Sequence, residues 1–558
     1  MSLGFSPAPV NRANHDTKTM IKPAAYDLKA ILDGLHNRRD FLKLFGKGLG
    51  YTALVSNLSA CGGGGGSGDS TSVNNPVQGA SGPVIPQTSS EYTALKRTSF
   101  GVRRDQLTAI QNIGVDAYLE QQLDYTQIND GDLDSTIQTL FPLTTQTPTQ
   151  LIGGFPDNIG DVVLQMTGAA QYRQIFSRRQ LYEVMVEFWS DHFNIHLLNG
   201  LGPTLKPADD IQVIRAHALG NFGDLLRASA HSPSMLFYLD NYLNQASAPN
   251  ENYARELMEL HTLGVDGGYT ETDVKEVARC FTGWTIRFPG DSGGPYGTFV
   301  YLPAIHDNVA KVVLQNTISA GGGQSDADQV LDILATHPST ARFLATKLCR
   351  RFISDTPDQA SVDAVAAAFT QSGGDIKATL RALFAAAAFR TTADLKIIRP
   401  VEYLSGLIRA LAPGTPYPTD NGQLFYFAQL IMGQLPFNWP TPDGYPDEQS
   451  YWASTGGLLN RWRLSFLSLA NFIPSIDVFQ IDYPTLLNGA GTLAGIVDAL
   501  TDSVLMRPLS VEDRSYMLDW LVTEYSQAAD ETLPVGVAEQ IAPLVAAVLV
   551  SSAYFQLR

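Results

Sequence analysis

Cysteine is scarce in this chain, with three in 558 residues. That excludes a disulfide framework, and no spacing of Cys and His here matches a zinc site or a catalytic thiol. Basic residues are also short, 38 Lys and Arg against 55 Asp and Glu, for a net charge of −17. The deficit is deeper in the body than this total shows: residues 1–60 hold eight basic and four acidic residues, a local +4 that leaves −21 for the rest. Such a body repels polyanions, and no basic tract interleaved with aromatics offsets it, so no nucleic-acid partner is expected. Long apolar runs are missing as well. The run from Leu44 to Ala60 is broken by Lys47 and by glycines at 46, 48 and 50, which makes it too weak and too short for a permanent membrane span. Nor is there a Gly-x-Ser-x-Gly elbow, and Gly321-Gly322-Gly323 ahead of Asp326 lacks the Walker lysine, so it reads as a plain loop.

What is present is a folded body, 44% hydrophobic and 17% charged, behind an N-terminal address. Arg38 and Arg39 open the phrase Asn37-Arg-Arg-Asp-Phe-Leu-Lys43, the weak apolar run follows, and Leu58-Ser59-Ala60-Cys61 closes it. This order resembles a twin-arginine export signal with a bacterial lipobox. The resemblance implies export, cleavage before Cys61, and a lipid on Cys61 that makes the membrane a partner. A start at Met20 would give the leader an ordinary length. Residues 62–86 are rich in Gly, Ser, Asn and Pro, as in a flexible tether. The expected organisation is an export signal over 1–60, a tether over 61–90 and a helical domain over 91–558. A faint echo between Leu380–Phe389 and Ala546–Phe555 would fit two lobes.

Apolar residues recur at helical spacing through most of that domain. The pattern predicts helices over 105–123, 178–193, 209–229, 327–336, 340–353, 361–371, 376–389, 401–411, 458–470, 511–525 and 538–555. The fold class is therefore mainly α, a large multi-helical domain with at most one short β-hairpin over about 298–318. In that hairpin, Thr298–Leu302 would pair with Lys311–Ile318 and carry His306 and Asp307 at its tip. The stretch Phe437–Pro446 holds three prolines among aromatics and is expected to be an irregular, aromatic-lined loop over a pocket. Cys280 and Cys349 lie in apolar helix patterns, where buried free thiols are expected.

Charge and helix punctuation are densest over residues 250–284. Glu251, Arg255 and Glu259 share one stripe of a helix whose other face is Tyr253, Leu257 and Leu260. Gly264 ends that helix, and Thr270 with Asp273 forms a capping box for the next. On the helix ending near His196, Glu183, Glu187 and Asp191 make an acidic stripe beside His192 and His196. Glu187, Asp191, His192, Glu251, Arg255 and Glu259 are candidate catalytic groups, and His192, His196, Glu251, Glu259 and His306 are candidate ligands for a divalent metal. The same residues also fit satisfied core histidines and a solvated ion-pair ladder. The two function classes left open are a binding or structural component of the cell envelope and an exported, metal-assisted hydrolase.

Six phrases in order resemble one bacterial family, domain of unknown function 1800. They are Leu95–Gly101, Val186–Phe193, Met235–Asn241, Asn250–Trp284, His337–Phe343 and Arg399–Glu402. The resemblance implies a large, mainly helical exported protein, often beside a sulfatase-like companion family, domain of unknown function 1501, and it brings no established activity. Where the family usually reads Trp-His-Asn-His-Phe, this chain has Trp189-Ser190-Asp191-His192-Phe193; where it reads Phe-Thr-Leu-Gly, this chain has His261-Thr262-Leu263-Gly264. One family imidazole is absent here, and another appears.

Overall fold

Caps written in the sequence set many of the helix ends. Ser89 accepts the Tyr92 N–H to open α1 (Ser90–Thr98), and α2 follows at Gln180–His192. Helix α3 (Asn252–Glu259) buries Tyr253, Ala254, Leu257 and Met258, and Gly264 beyond it is left-handed at φ +82°. Helix α4 (Glu271–Cys280) starts on a complete Thr270–Asp273 capping box. The computed structural model describes residues 85–414, 423–469 and 481–558. Arg38, Arg39, Cys61 and most of the tether lie outside the described residues. Within them, regular structure is helical apart from two two-stranded antiparallel sheets.

Those sheets correct the expected hairpin. Strand β1 (Trp284–Ile286) pairs with β2 (Phe299–Tyr301), Trp284 opposite Tyr301. Strand β3 (Lys311–Val313) folds straight back on β4 (Asn316–Ile318). The two-residue turn between them puts Leu314 and Gln315 both at positive φ, 48° and 65°. That is the backbone of a tight primed hairpin turn without the Asn-Gly that normally announces one. His306 is consequently not at a tip: it is buried at 5% exposure between the two sheets in sequence. Four predicted helices also break: Ala386 divides 376–385 from 387–391, Ser552 divides 537–551 from 553–556, and two more break earlier in the chain. Gly114, at φ +83°, divides 104–113 from 115–123. A π-helical turn over Asp210–Arg215 precedes a separate helix at Phe222–Ala230, capped by Asn221. Cys280 and Cys349 are free and buried.

Two large apolar clusters form the core. One gathers Leu95, Trp189, Leu225, Tyr253 and Val277 with Leu344 from α5 (Pro338–Phe352). The other gathers Phe141, Ile496 and Phe555 with the long helix α7 (Val537–Ser551). Between α5 and α7 in the chain comes α6 (Pro400–Leu411), all 12 residues of which are buried. Val401 packs into the first cluster and Tyr403, Leu404 and Leu407 into the second, so α6 is the wall both share. A helix buried on every side must satisfy its polar residues internally. Arg409 donates to the carbonyls of Gly101 and Ile175, and Ser405 accepts from Gln171. On α1, buried Lys96 and Arg97 donate to the carbonyls of Phe555 and Phe389.

The segment after α1 meets α6 backbone to backbone. A Cβ on Gly101, whose φ is +136°, would lie 2.4 Å from the Gly406 Cα. Gly101→Ala is therefore expected to cost about 1–3 kcal/mol from overpacking and backbone strain. A lower urea midpoint at unchanged slope would show it.

Candidate functional site

Helix α2 carries its acidic stripe into a network of buried ion pairs. Its acidic stripe is matched residue by residue with arginines: Glu183 with Arg215 at 3.1 Å, and Glu187 and Asp191 with Arg399, the latter at 3.2 Å. Arg399 caps α6, where its backbone N–H donates to Glu402 Oε2 at 2.7 Å. Glu402 in turn faces Arg351 of α5 at 2.8 Å and Arg558. Burial alone would raise the Glu402 carboxyl, but three guanidinium groups hold it well below the usual carboxylate range. Burial also disfavours the charge on Arg399, and the Glu187 and Glu402 carboxylates more than restore it.

His192 ends α2 and is 1% exposed. Its Nε2 lies 3.0 Å from the carbonyl of His261, which can only accept, so the proton sits on Nε2 and Nδ1 is the acceptor. Lys347 of α5 donates to that Nδ1 at 3.1 Å. Burial, followed by the positive charge of Lys347, pushes His192 well below its ordinary value, and the same two causes take His261 to about 3. Burial likewise lowers Lys347 to about 8, against the pull of Asp191 and Asp447. Asp191 moves the other way: burial and the adjacent Glu187 raise it to about 8 in spite of Arg399.

A cleft of about 330 Å³ opens over these groups. Asp191 and His192 from α2, Lys347 and Arg351 from α5, and Arg399 line one side; residues 443–448 line the other. The latter belong to the proline-rich loop, which has no helix over 437–446. Asn194 donates to the carbonyls of Trp439 and Thr441, and Leu197 N–H to that of Phe437, which straps the loop across the end of α2. Gly444, at φ +73°, lets it come so close that a Cβ there would lie 2.1 Å from the Asp191 carbonyl oxygen.

The candidates read from sequence separate into groups. Asp191 and His192 do line the cleft, while Glu187 shares Arg399 with Asp191 and lines the small cavity behind it. His196 does not join them, because α2 stops at His192 and the chain leaves the helix at Phe193. Glu251 and Arg255 form a surface ladder in which Arg255 also holds Glu271 of α4 at 2.7 Å. Glu259 accepts from the Tyr269 hydroxyl. His306 is buried against the Thr282 carbonyl and Asp326, which also pairs with Lys311. The two charged helices α2 and α3 thus meet through the His261 carbonyl and not through their carboxylates. Among the described residues no three His, Cys, Asp or Glu side chains converge to hold a metal ion, so the ligand set drawn across both helices is not assembled. Lys347, Arg351 and Asp447 escaped the sequence reading. Lys347 gave no signal, being one lysine in an amphipathic helix, whereas Arg399–Glu402 stood out only as one of the six family phrases, and its side chains organise the site.

A family model described as "Protein of unknown function (DUF1800)" matches residues 93–557. The chain belongs to this family. No curated protein and no solved structure matches it. Ser190 of α2 is buried. Its Oγ has no hydrogen-bond partner among the described residues, and it lines a cavity of about 30 Å³ with Glu187 and Asp191, space for a water.

Two outcomes follow from these buried charges. Glu402→Gln leaves three buried guanidinium groups short of a counter-charge and should cost about 3–5 kcal/mol, read from denaturant unfolding. His192 and His261 stay neutral in the native state while the unfolded chain protonates them near pH 6.5, so stability is full above that pH and falls below it. His261→Phe removes one of these groups. Its stability relative to the parent should improve by about 1.4 kcal/mol per pH unit between pH 6 and 4, measured by urea titration at each pH.

Proposed function

We propose that this protein is an exported, lipid-anchored component of the cell envelope that binds a small ligand in the cleft between α2, α5 and the 437–448 loop. The observation that carries the binding half is the cleft itself: about 330 Å³, lined by Phe188, Phe343 and Tyr445 and by charged groups held in fixed positions. A concave site that sets aromatic side chains among charged groups of fixed orientation suits recognition of a small molecule with a polar end. Support for export and anchoring comes from Arg38-Arg39 followed by Leu58-Ser59-Ala60-Cys61. Binding is favoured over hydrolysis because Glu187 is committed to Arg399 and Glu251 to Arg255, which leaves neither free as a general base. An exported, sulfatase-like protein of the domain of unknown function 1501 type is the companion proposed with it.

Subcellular fractionation tests the localisation. Cys61→Ala should leave the folded body intact and move the protein from the membrane to the soluble exported fraction. Replacing Arg38 and Arg39 together by Lys should hold it in the cytoplasm. Retention of the Cys61→Ala protein on the membrane would count against the anchor.

A further inference from the structure

The charges lining the cleft cancel pair by pair, with two exceptions, the carboxylate of Asp443 and the ammonium of Lys347. Asp191 is matched by Arg399, Arg350 by Glu448, Arg351 by Glu402 and Asp447 by Lys396. Asp443 is solvent-exposed and accepts from the Trp439 indole and the Thr441 hydroxyl. Lys347 is half-buried and has no carboxylate partner among the described residues. Its hydrogen bond goes to a neutral imidazole, which orients the ammonium without cancelling its charge. An ammonium has three donors, so two remain for a ligand.

We propose that Lys347 anchors the carboxylate of a small monocarboxylate with an apolar or aromatic body. This inference rests on the cleft being a ligand site, as argued above. A single cation without an ion pair suits a single negative charge, and the unpaired Asp443 carboxylate nearby disfavours a dianion such as phosphate. Phe188, Phe343, Tyr445 and Pro446 offer the ligand's body an apolar contact. The volume, at the small end for ligand pockets, limits that body to about the size of one or two rings.

A pH signature accompanies the anchor. Lys347 faces Asp191 and His192 from α2, Asp443 and Asp447 from the loop, and Arg350 on its own helix. Because burial brings it to about 8, the ammonium is charged at pH 7 and largely discharged at pH 9. Carboxylate binding should weaken over that interval.

Calorimetric titration of the full chain with benzoate, benzamide and inorganic phosphate provides the test. Benzoate should bind at pH 7 about tenfold or more tightly than uncharged benzamide, as the loss of one charge-assisted hydrogen bond implies. Lys347→Met should weaken benzoate binding by about the same factor, and Lys347→Arg should largely restore it, with circular dichroism confirming that both variants fold. Equal affinity for benzamide and benzoate, or unchanged benzoate binding by a folded Lys347→Met protein, would overturn the anchor and leave the cleft standing as a site. Tighter binding of phosphate would overturn the monocarboxylate class. If the folded parent binds none of the three, the cleft reading itself falls.

Discussion

The Glu402 carboxylate is the interaction on which the rest of the molecule depends. It sits in a helix buried on every side, and it is surrounded by Arg351, Arg399 and Arg558, contributed by three separate parts of the chain. A lone buried charge would be prohibitively costly, and a lone buried pair is often no better than a pair of apolar residues. The arrangement holds because the members of the network satisfy one another: Arg399 passes charge on to Glu187 and Asp191, and Lys396 ties Asp447 into the same region. Such a network contributes position more than net stability. It requires α2, α5 and α6 to meet at one angle and one depth.

The cleft inherits that position. Its walls are the outer ends of the same helices, so the groups facing the opening are held from behind by ion pairs and not by contact with solvent. His192 shows the principle. Its ring is fixed on one side by the His261 carbonyl and packs at 5.3 Å from Trp189, so its other nitrogen always presents an acceptor to Lys347. Preorganisation of this kind reduces the ordering cost when something binds. The loop over 437–448 completes the enclosure through backbone hydrogen bonds, with Gly444 permitting contact that a side chain would prevent.

Much of the helical architecture was legible because helix ends carry local chemistry. The Thr270–Asp273 box and the Gly264 stop each depend on residues within one turn of each other. Strand pairing was not legible. Phe299–Tyr301 found its partner upstream at Trp284–Ile286, and the β3–β4 turn uses Leu314 and Gln315 in a conformation that neither residue advertises. At the site, Glu187, Asp191 and His192 were visible as helix neighbours, but their charged side-chain partners come from more than 150 residues away in sequence. Glu251 and Glu259 were misleading for a related reason. A charged stripe looks the same in sequence whether it faces a ligand or, as here, a surface arginine and a tyrosine.

The long reach of the Glu402 network also ties residue 558 to the middle of the folded body. Arg558 donates to Glu402 across 156 residues and to the Arg351 carbonyl across 207. The Arg351 and Glu402 side chains are therefore synthesised well before the group that completes their surroundings. Loss of the Arg558 contacts would leave the buried Glu402 carboxylate with two of its three guanidinium partners.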